Sequence, residues 1–252
     1  MAENLPLVSV VTVCLNSAKT VRRTVESVLA QTYPRVEYIL IDGGSTDETM
    51  NILAEYRSRI KTLISEPDKG IGDAFNKGIR MAAGEFVQLL NSDDVLPPEK
   101  VERSVARLQA NPRAGYVFGD IVKIGDDGRQ ARIEGDPYFP RWIRFTMGRL
   151  NHPTILARKS MFDRHGLFDE RWQVAMDYEW LLRLHRQGDR GLYSPDLVVY
   201  MREGGVSDAR AFRAFREVRD ISILHGFNSG VAYVYYWMRC LKHVLYVSLG
   251  WR

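Results

Sequence analysis

The chain has 252 residues, 45% of them hydrophobic and 26% charged, with a formal net charge of +4. That length suits one large α/β domain, or one domain with a small appendage. The charge suits phosphorylated small molecules or an anionic membrane surface, and is too weak to argue for nucleic acid, which asks for a clustered basic face. Two cysteines, Cys14 and Cys240, provide neither a disulfide framework nor a zinc spacing. They are expected to be free thiols in a reducing cytosol. The segment Met1 to Pro6 shows no basic stretch or cleavage site, so no signal peptide is expected there.

In chain order, Val8 to Leu15 reads as a β-branched strand, and Asn16 or Ser17 as the cap of a helix with apolar residues at Val21, Val25, Val28 and Leu29. Val36 to Ile41 is a second strand, and Ser45 with Glu48 forms a capping-box pattern for a second helix. Ile60 to Ile64 is a short third strand. A third helix covers Asp73 to Ala83 with Phe75, Ile79 and Ala82 on one side, and Phe86 to Leu90 is the fourth strand. Strand–helix alternation of this kind implies parallel strands joined by right-handed crossovers. Ligands of such sheets bind outside the carboxyl ends of the strands. Those ends carry Asn16, then Asp42-Gly43-Gly44-Ser45, then Glu66 to Gly70, then Asn91-Ser92-Asp93-Asp94. Each group taken singly is also explained by turn and cap chemistry. Together they deliver polar and acidic residues to one edge. Adjacent acids such as Asp93 and Asp94 repel each other unless a cation or ligand compensates them.

The second half reads as a helix from Pro98 to Asn111, a strand near Tyr116 to Phe118, and a hairpin from Val122 to Ile133 around Asp126-Asp127-Gly128. Asn151-His152-Pro153 precedes a short strand, Thr154 to Ala157. Val174 to Arg186 reads as a helix, Leu197 to Met201 as a strand, and Arg202 to Ser207 as a loop. Beyond it, Arg210, Arg213, Arg216 and Arg219 recur every third residue, and Val231 to Trp251 is rich in aromatic and aliphatic residues. That last segment is long enough to span a bilayer. However, Arg239 and Lys242 lie mid-stretch, each costing about 2.5–3.5 kcal/mol at a central position. As a helix it places Arg239, Lys242, His243 and Tyr246 on one face and Trp237, Leu241, Val244 and Leu245 on the other. This suits an interfacial helix, and equally a helix packed on the domain or on another subunit.

Five motifs in order resemble the family 2 glycosyltransferases. They are Val10-Val11-Thr12-Val13-Cys14-Leu15-Asn16; Ile41 to Asp47; Asp68 to Gly78; Asn91-Ser92-Asp93-Asp94, where the family carries its D-x-D metal motif; and Met176-Asp177 with Tyr178 to Arg183, similar to its acidic catalytic motif. The resemblance covers Leu7 to Ser207 and implies an α/β GT-A fold, a mostly parallel central sheet flanked by helices, with a helical C-terminal appendage. The implied organisation is a catalytic domain over 1–207, its nucleotide-binding half at 1–95 and acceptor half at 96–207, followed by a basic, aromatic tail over 208–252. There are two departures. Met176 stands where the family usually has Glu, which removes an auxiliary acid, and the loop after Met201 lacks the histidine that some members supply to the metal.

The resemblance implies an inverting sugar transferase using a nucleotide-diphosphate donor, a UDP-sugar in the first place, and Mn2+ or Mg2+. Asp177 is expected to be the general base toward the acceptor hydroxyl, unless it is a helix-surface acid or a partner of Arg183. A hard cation suits oxygen ligands. Asp94 is expected to be its direct ligand, with Asp93 orienting the ribose or a metal-bound water. Asp42 would accept from the base N3–H, with Thr12 and Asn16 nearby. Asp68 and Lys69 would lie near the donor, Lys69 alternatively as a solvated loop lysine. His152 lines the acceptor side or is a packed histidine. The implied setting is surface-polysaccharide assembly, such as O-antigen or capsule, on a lipid-linked or saccharide acceptor. The protein is expected to be peripheral at the inner face of the cytoplasmic membrane, with homo-oligomerisation through the tail as the other use of that segment. Two other functions compete. A nucleotidyltransferase would show a Gly-rich phosphate loop after the first strand, where Asn16-Ser17-Ala18-Lys19 offers none. An inactive GT-A binding module would have lost the aspartate pair or Asp177, and all three are present.

Overall fold

The computed structural model describes residues 5–125, 127–146, 148–150, 152–202, 204 and 210–248. The first half runs β1 (Val8–Cys14), α1 (Val21–Leu29), β2 (Val36–Asp42), α2 (Thr49–Ala54), β3 (Thr62–Ser65), α3 (Ile71–Met81) and β4 (Phe86–Asn91). The second half runs α4 (Lys100–Ala110), β5 (Ala114–Phe118), β6 (Ile121–Ile124), β7 (Gln130–Ile133), β8 (Leu156–Arg158), α5 (Lys159–His165), α6 (Met176–Arg186), β9 (Arg190–Tyr193) and β10 (Val199–Arg202). Two helices close the described chain, α7 (Ala211–Leu224) and α8 (Ser229–Ser248).

Seven strands form one sheet in the order β3-β2-β1-β4-β8-β5-β9. The first four are mutually parallel, as the alternation requires. β8 then runs antiparallel to both β4 and β5, and β9 returns parallel to β5. The sheet therefore passes without a break through the expected boundary near residue 95. A second sheet, β10-β6-β7, contains the predicted hairpin; its tip residue 126 lies outside the described residues.

β1 and β4 are central, and helices cover both sheet faces, so β1 is buried along its whole length. Strand alternation divides the core. Val11, Val13, Ile39, Ile41, Val87 and Leu89 pack with α3, α5, α6 and α7. Val10, Leu40, Phe86 and Leu90 pack with α1 and α4 on the other face. Phe75, Ile79 and Ala82 fall in the first cluster, as their spacing predicts. Gly78 lets α3 lie directly on β1, since a side chain there would run into Val11.

Several local expectations are corrected. Helix α1 starts at Val21, after Thr20, with no side-chain cap; Asn16 sits in a left-handed turn at φ 50° instead. The Ser45–Glu48 capping box does not form: α2 starts at Thr49, and Asp47 accepts its amide at 3.0 Å. Ser45 is diverted into contacts with Asp42 and Asn16. The strand expected from Thr154 begins at Leu156, after a 3-10 turn over His152–Thr154. Helix α5 and strand β9 had no sequence expectation. Both are short pieces of seven and four residues, too brief to show a period.

The largest difference lies beyond residue 208. α7 is part of the main core rather than a tail, with Val218 and Ile221 in the same cluster as the catalytic-motif helix α6. Two arginines of the run find partners there: Arg213 pairs with Glu217, and Arg219 pairs with Asp220 and lies over Tyr233 and Tyr236. α8 folds back on α7. Arg239 lies 4.6 Å over Phe215, and His243 meets Phe212 and Phe215 edge-on. The face carrying Arg239 and His243 therefore turns inward, and the apolar face turns out. Trp237 is 64% exposed and Leu241 62%, with Val234, Met238, Val244 and Leu245 beside them. Among the described residues no helix is long and apolar enough to cross a membrane. Cys14 and Cys240 are both buried thiols.

Candidate active site

The carboxyl ends of β1, β2, β3 and β4 form a continuous hydrogen-bonded rim. At its centre Asp42 accepts from the Gly44 amide at 3.1 Å, the Ser45 amide at 2.9 Å and the Ser65 hydroxyl at 2.6 Å. The Ser45 hydroxyl and the Cys14 thiol also donate to it. Burial alone would raise this carboxyl; the hydrogen bonds from Ser45 and Ser65 outweigh it and hold it below the usual carboxylate range. Gly44, at φ 86°, supplies the left-handed turn this cradle needs. Asp42 is fully buried with its oxygens engaged, so it organises the 43–46 loop rather than presenting itself to a nucleobase. Thr12 is also inside the sheet, accepting from the Tyr38 hydroxyl at 3.2 Å, so its side chain does not reach the rim.

Asn16 does reach it. Its amide donates to Ser45 Oγ at 2.8 Å, and its Oδ1 accepts from the Thr46 amide at 2.9 Å. Ser17 Oγ and Ser92 Oγ lie 2.7 Å apart and join this loop to the turn after β4. Asp68 stands over Gly43, where a side chain would strike its carboxylate, and accepts from the Gly70 amide at 2.8 Å. Lys69 points away into solvent, 3.9 Å from Glu170. The rim thus gathers Asn16, Gly43 to Thr46 and Asp68 into one polar shelf. Thr12 and Lys69 are left out of it.

The acid pair after β4 divides its labour. Asp94 is only 1% exposed and accepts from Asn91 Nδ2 at 3.0 Å. Burial, and next the charge of Asp93, push its carboxyl well above the ordinary range. Its backbone carbonyl accepts from Thr24, and Val95 bridges to Tyr200 of β10, which locks the turn. Asp93 is the member that faces out. It lines a groove of about 230 Å³ together with Lys19, Thr20, Arg23, Tyr200 and Arg202. Its carboxyl is also raised by burial, with Arg202 pulling the other way. Asp94, expected to be the direct metal ligand, is thus turned inward, and Asp93 is the member of the pair that the groove leaves accessible.

Among the described residues no cluster of three or more His, Cys, Asp or Glu is arranged to hold a metal. The pair still suits a cation. Burial holds both carboxyls above their normal range, the charge of Asp93 adding to it at Asp94, and the buried Asn91 Oδ1 beside them has no hydrogen-bond partner. A small hard cation bound by one carboxylate, water and substrate phosphates needs no all-protein cage.

Asp177 lies in the first turn of α6 and lines a small apolar cavity with His152, Leu89, Phe168 and Trp180. Leu89 belongs to β4, so the cavity adjoins the strand whose following turn carries Asp93. Burial raises the Asp177 carboxyl, and His152 opposes the shift. The same burial lowers the His152 imidazole, whose Nε2 has no hydrogen-bond partner and whose ring meets Phe75 edge-on at 5.7 Å. Arg183 pairs with Glu179 at 2.8 Å and not with Asp177, so the surface ion-pair reading of Asp177 fails. Two neighbours had no sequence signal. Glu217 and His225 approach α6 from α7 and from the residue that ends it, more than forty positions away.

A parallel edge presenting a polar shelf and an outward aspartate, continued by an antiparallel extension that carries a second acid, defines the GT-A architecture. The same fold is seen in mannosyltransferase PcManGT from Pyrobaculum calidifontis in complex with GDP-Man and Mn2+ (TM-score 0.68, 19% identity, 99% of this chain and 72% of that one). It is also seen in S. aureus TarS 1–349 in complex with UDP-GlcNAc (TM-score 0.66, 20% identity, 90% of this chain and 69% of that one). The family model described as glycosyl transferase family 2 matches residues 9–167, and the chain belongs to that family of enzymes. It is 28% identical over 222 residues to the succinoglycan biosynthesis protein ExoO of Rhizobium meliloti, which covers 81% of this chain; the chain spans 64% of ExoO.

Proposed function

We propose that the protein transfers a sugar from a nucleotide-diphosphate donor, with a UDP-sugar first to be tested, to a hydroxyl of a lipid-linked or saccharide acceptor, inverting the anomeric carbon. One observation carries the reading: the turn after β4 presents Asp93 to an open groove, and the body of the same strand, at Val87 and Leu89, walls the cavity of Asp177, so that one strand serves two acids with different environments. In this reading the shelf of Asn16, Gly43 to Thr46 and Asp68 receives the nucleoside. Asp93, with Mn2+ or Mg2+, holds the diphosphate, and the cation when bound offsets the charge of the departing nucleoside diphosphate. Asp177 accepts the proton of the acceptor hydroxyl as that oxygen attacks C1. Its raised carboxyl suits this role, because a base works best with a pKa near the working pH. His152 lies on the acceptor side of the same cavity and limits how far burial raises the base.

The outward apolar face of α8 supports docking on a membrane surface, where a lipid-linked acceptor would be found. The named role of ExoO in succinoglycan biosynthesis supports a place in polysaccharide assembly. PcManGT with GDP-Man and TarS with UDP-GlcNAc support nucleotide-sugar donors. The test is turnover of a panel of nucleotide sugars with and without EDTA, with the product anomer read by NMR. Cation-dependent release of nucleoside diphosphate with inverted product is expected. Release of pyrophosphate would assign nucleotidyl transfer instead, and tight binding without turnover would assign a binding module.

A further inference from the structure

We infer that Glu217, on α7, is a positioning residue for the base: it clamps the chain that leads into α6 and so fixes where Asp177 stands. The inference rests on the assignment of Asp177 as base. Glu217 is buried, and its two oxygens accept from three successive amides, Gln173 at 3.2 Å, Val174 at 2.8 Å and Ala175 at 2.9 Å. Arg213 donates to it at 2.8 Å, one turn back on α7. Ala175 caps α6, and amides at a helix start have no partners within the helix; those of Gln173 and Val174 belong to the chain just before it. A carboxylate is the strongest acceptor available to them, and its charge suits the positive end of the helix dipole. The next residue pair is held from the same side: Tyr178 and Ser222 hydroxyls lie 2.9 Å apart, and His225 lies 3.2 Å from Glu179. Asp177 is thus bracketed by α7 contacts on both flanks, while its own side chain faces the apolar cavity.

The charged groups that act on Asp177 from packed elements are His152, from the 3-10 turn, and Glu217, from α7. Arg213 faces Glu217, and Arg239 faces Tyr178. Burial raises the Asp177 carboxyl and the nearby Glu217 charge adds to it, so removing that charge while the clamp geometry is kept should move the titration down, whereas a purely structural role would leave it in place.

The experiment compares Glu217→Gln and Glu217→Ala with wild type by kcat and donor KM across pH, and by NMR titration of the Asp177 carboxyl carbon. In Glu217→Gln the amide oxygen keeps an acceptor for the helix start. The Asp177 titration and the acid limb of kcat should both move to lower pH, with donor KM unchanged. Glu217→Ala frees the helix start and should lower kcat by about 10²-fold, the cost of a base displaced by roughly 1 Å, again with donor KM unchanged. Unmoved titrations in Glu217→Gln, or a normal kcat in Glu217→Ala, overturn the inference. The NMR titration is read without turnover, so it remains decisive even where the transferase reading fails.

Discussion

The inner and outer faces of the C-terminal helices should respond oppositely to the same kind of truncation. Ile221 on α7 is 0% exposed and sits in the cluster that holds α6 against the sheet. Ile221→Ala removes buried methylenes and leaves a cavity, which costs about 2–5 kcal/mol. A domain of this size loses about 2–4 °C of Tm per kcal/mol, so the melting temperature should fall by about 4–20 °C. Leu241 on α8 is 62% exposed, and Leu241→Ala should change stability by no more than about 0.5 kcal/mol, as surface substitutions do. Denaturant unfolding at matched slopes measures both. Equal losses, or a Leu241→Ala loss above about 2 kcal/mol, would mean that the outer face of α8 is covered within the fold or by a second copy, and the exposed-face argument would fail. The same reasoning predicts that removing everything after residue 208 yields an unstable chain, because it deletes Ile221, Val218 and the Glu217 clamp together.

The remaining expectations concern the site and the membrane face. Asp177→Asn keeps the shape and removes the base, so kcat should fall on the order of 10²–10⁴-fold with donor affinity little changed; normal kcat with lost donor binding would make Asp177 a binding residue. A base works only when ionised, and burial raises the Asp177 carboxyl, so kcat should rise with pH along a limb above the ordinary carboxylate range. Replacing His152 by Phe removes the opposing influence and should move that limb to still higher pH. Asp93→Asn should abolish the cation dependence of diphosphate binding measured by calorimetry, while Asp94→Asn retains it; the opposite ranking would restore Asp94 as the ligand. Trp237→Ser combined with Leu241→Ser should abolish flotation with vesicles of anionic lipid while leaving donor turnover in detergent intact, and flotation that survives would move the contact elsewhere.

Periodicity and punctuation carried the parallel half. Val8 to Cys14, Val36 to Asp42 and Phe86 to Asn91 are apolar runs ending in polar turns, and Phe75, Ile79 and Ala82 mark a buried helix face. These are local signals, because a strand buried on both faces has to be apolar throughout. The rim acids followed from the same logic, since each stands at the carboxyl end of its strand or within the next three residues. Which acid looks out did not follow. Asp93 and Asp94 are chemically equal in the chain, and only the bridge from Val95 to Tyr200 and the packing around Thr24 turn one inward. The same holds for Asp42 and Thr12, whose partners Ser65, Cys14 and Tyr38 come from neighbouring strands. At the C-terminus the sequence alone established an amphipathic helix with a basic side. Burial of the Arg239 and His243 side against Phe212 and Phe215 was decided by α7, whose docking depends on Val218, Ile221 and Glu217 meeting α6. Amphipathicity defines two faces of a helix, but only the shape and charge of the surface it meets determine which of them is covered.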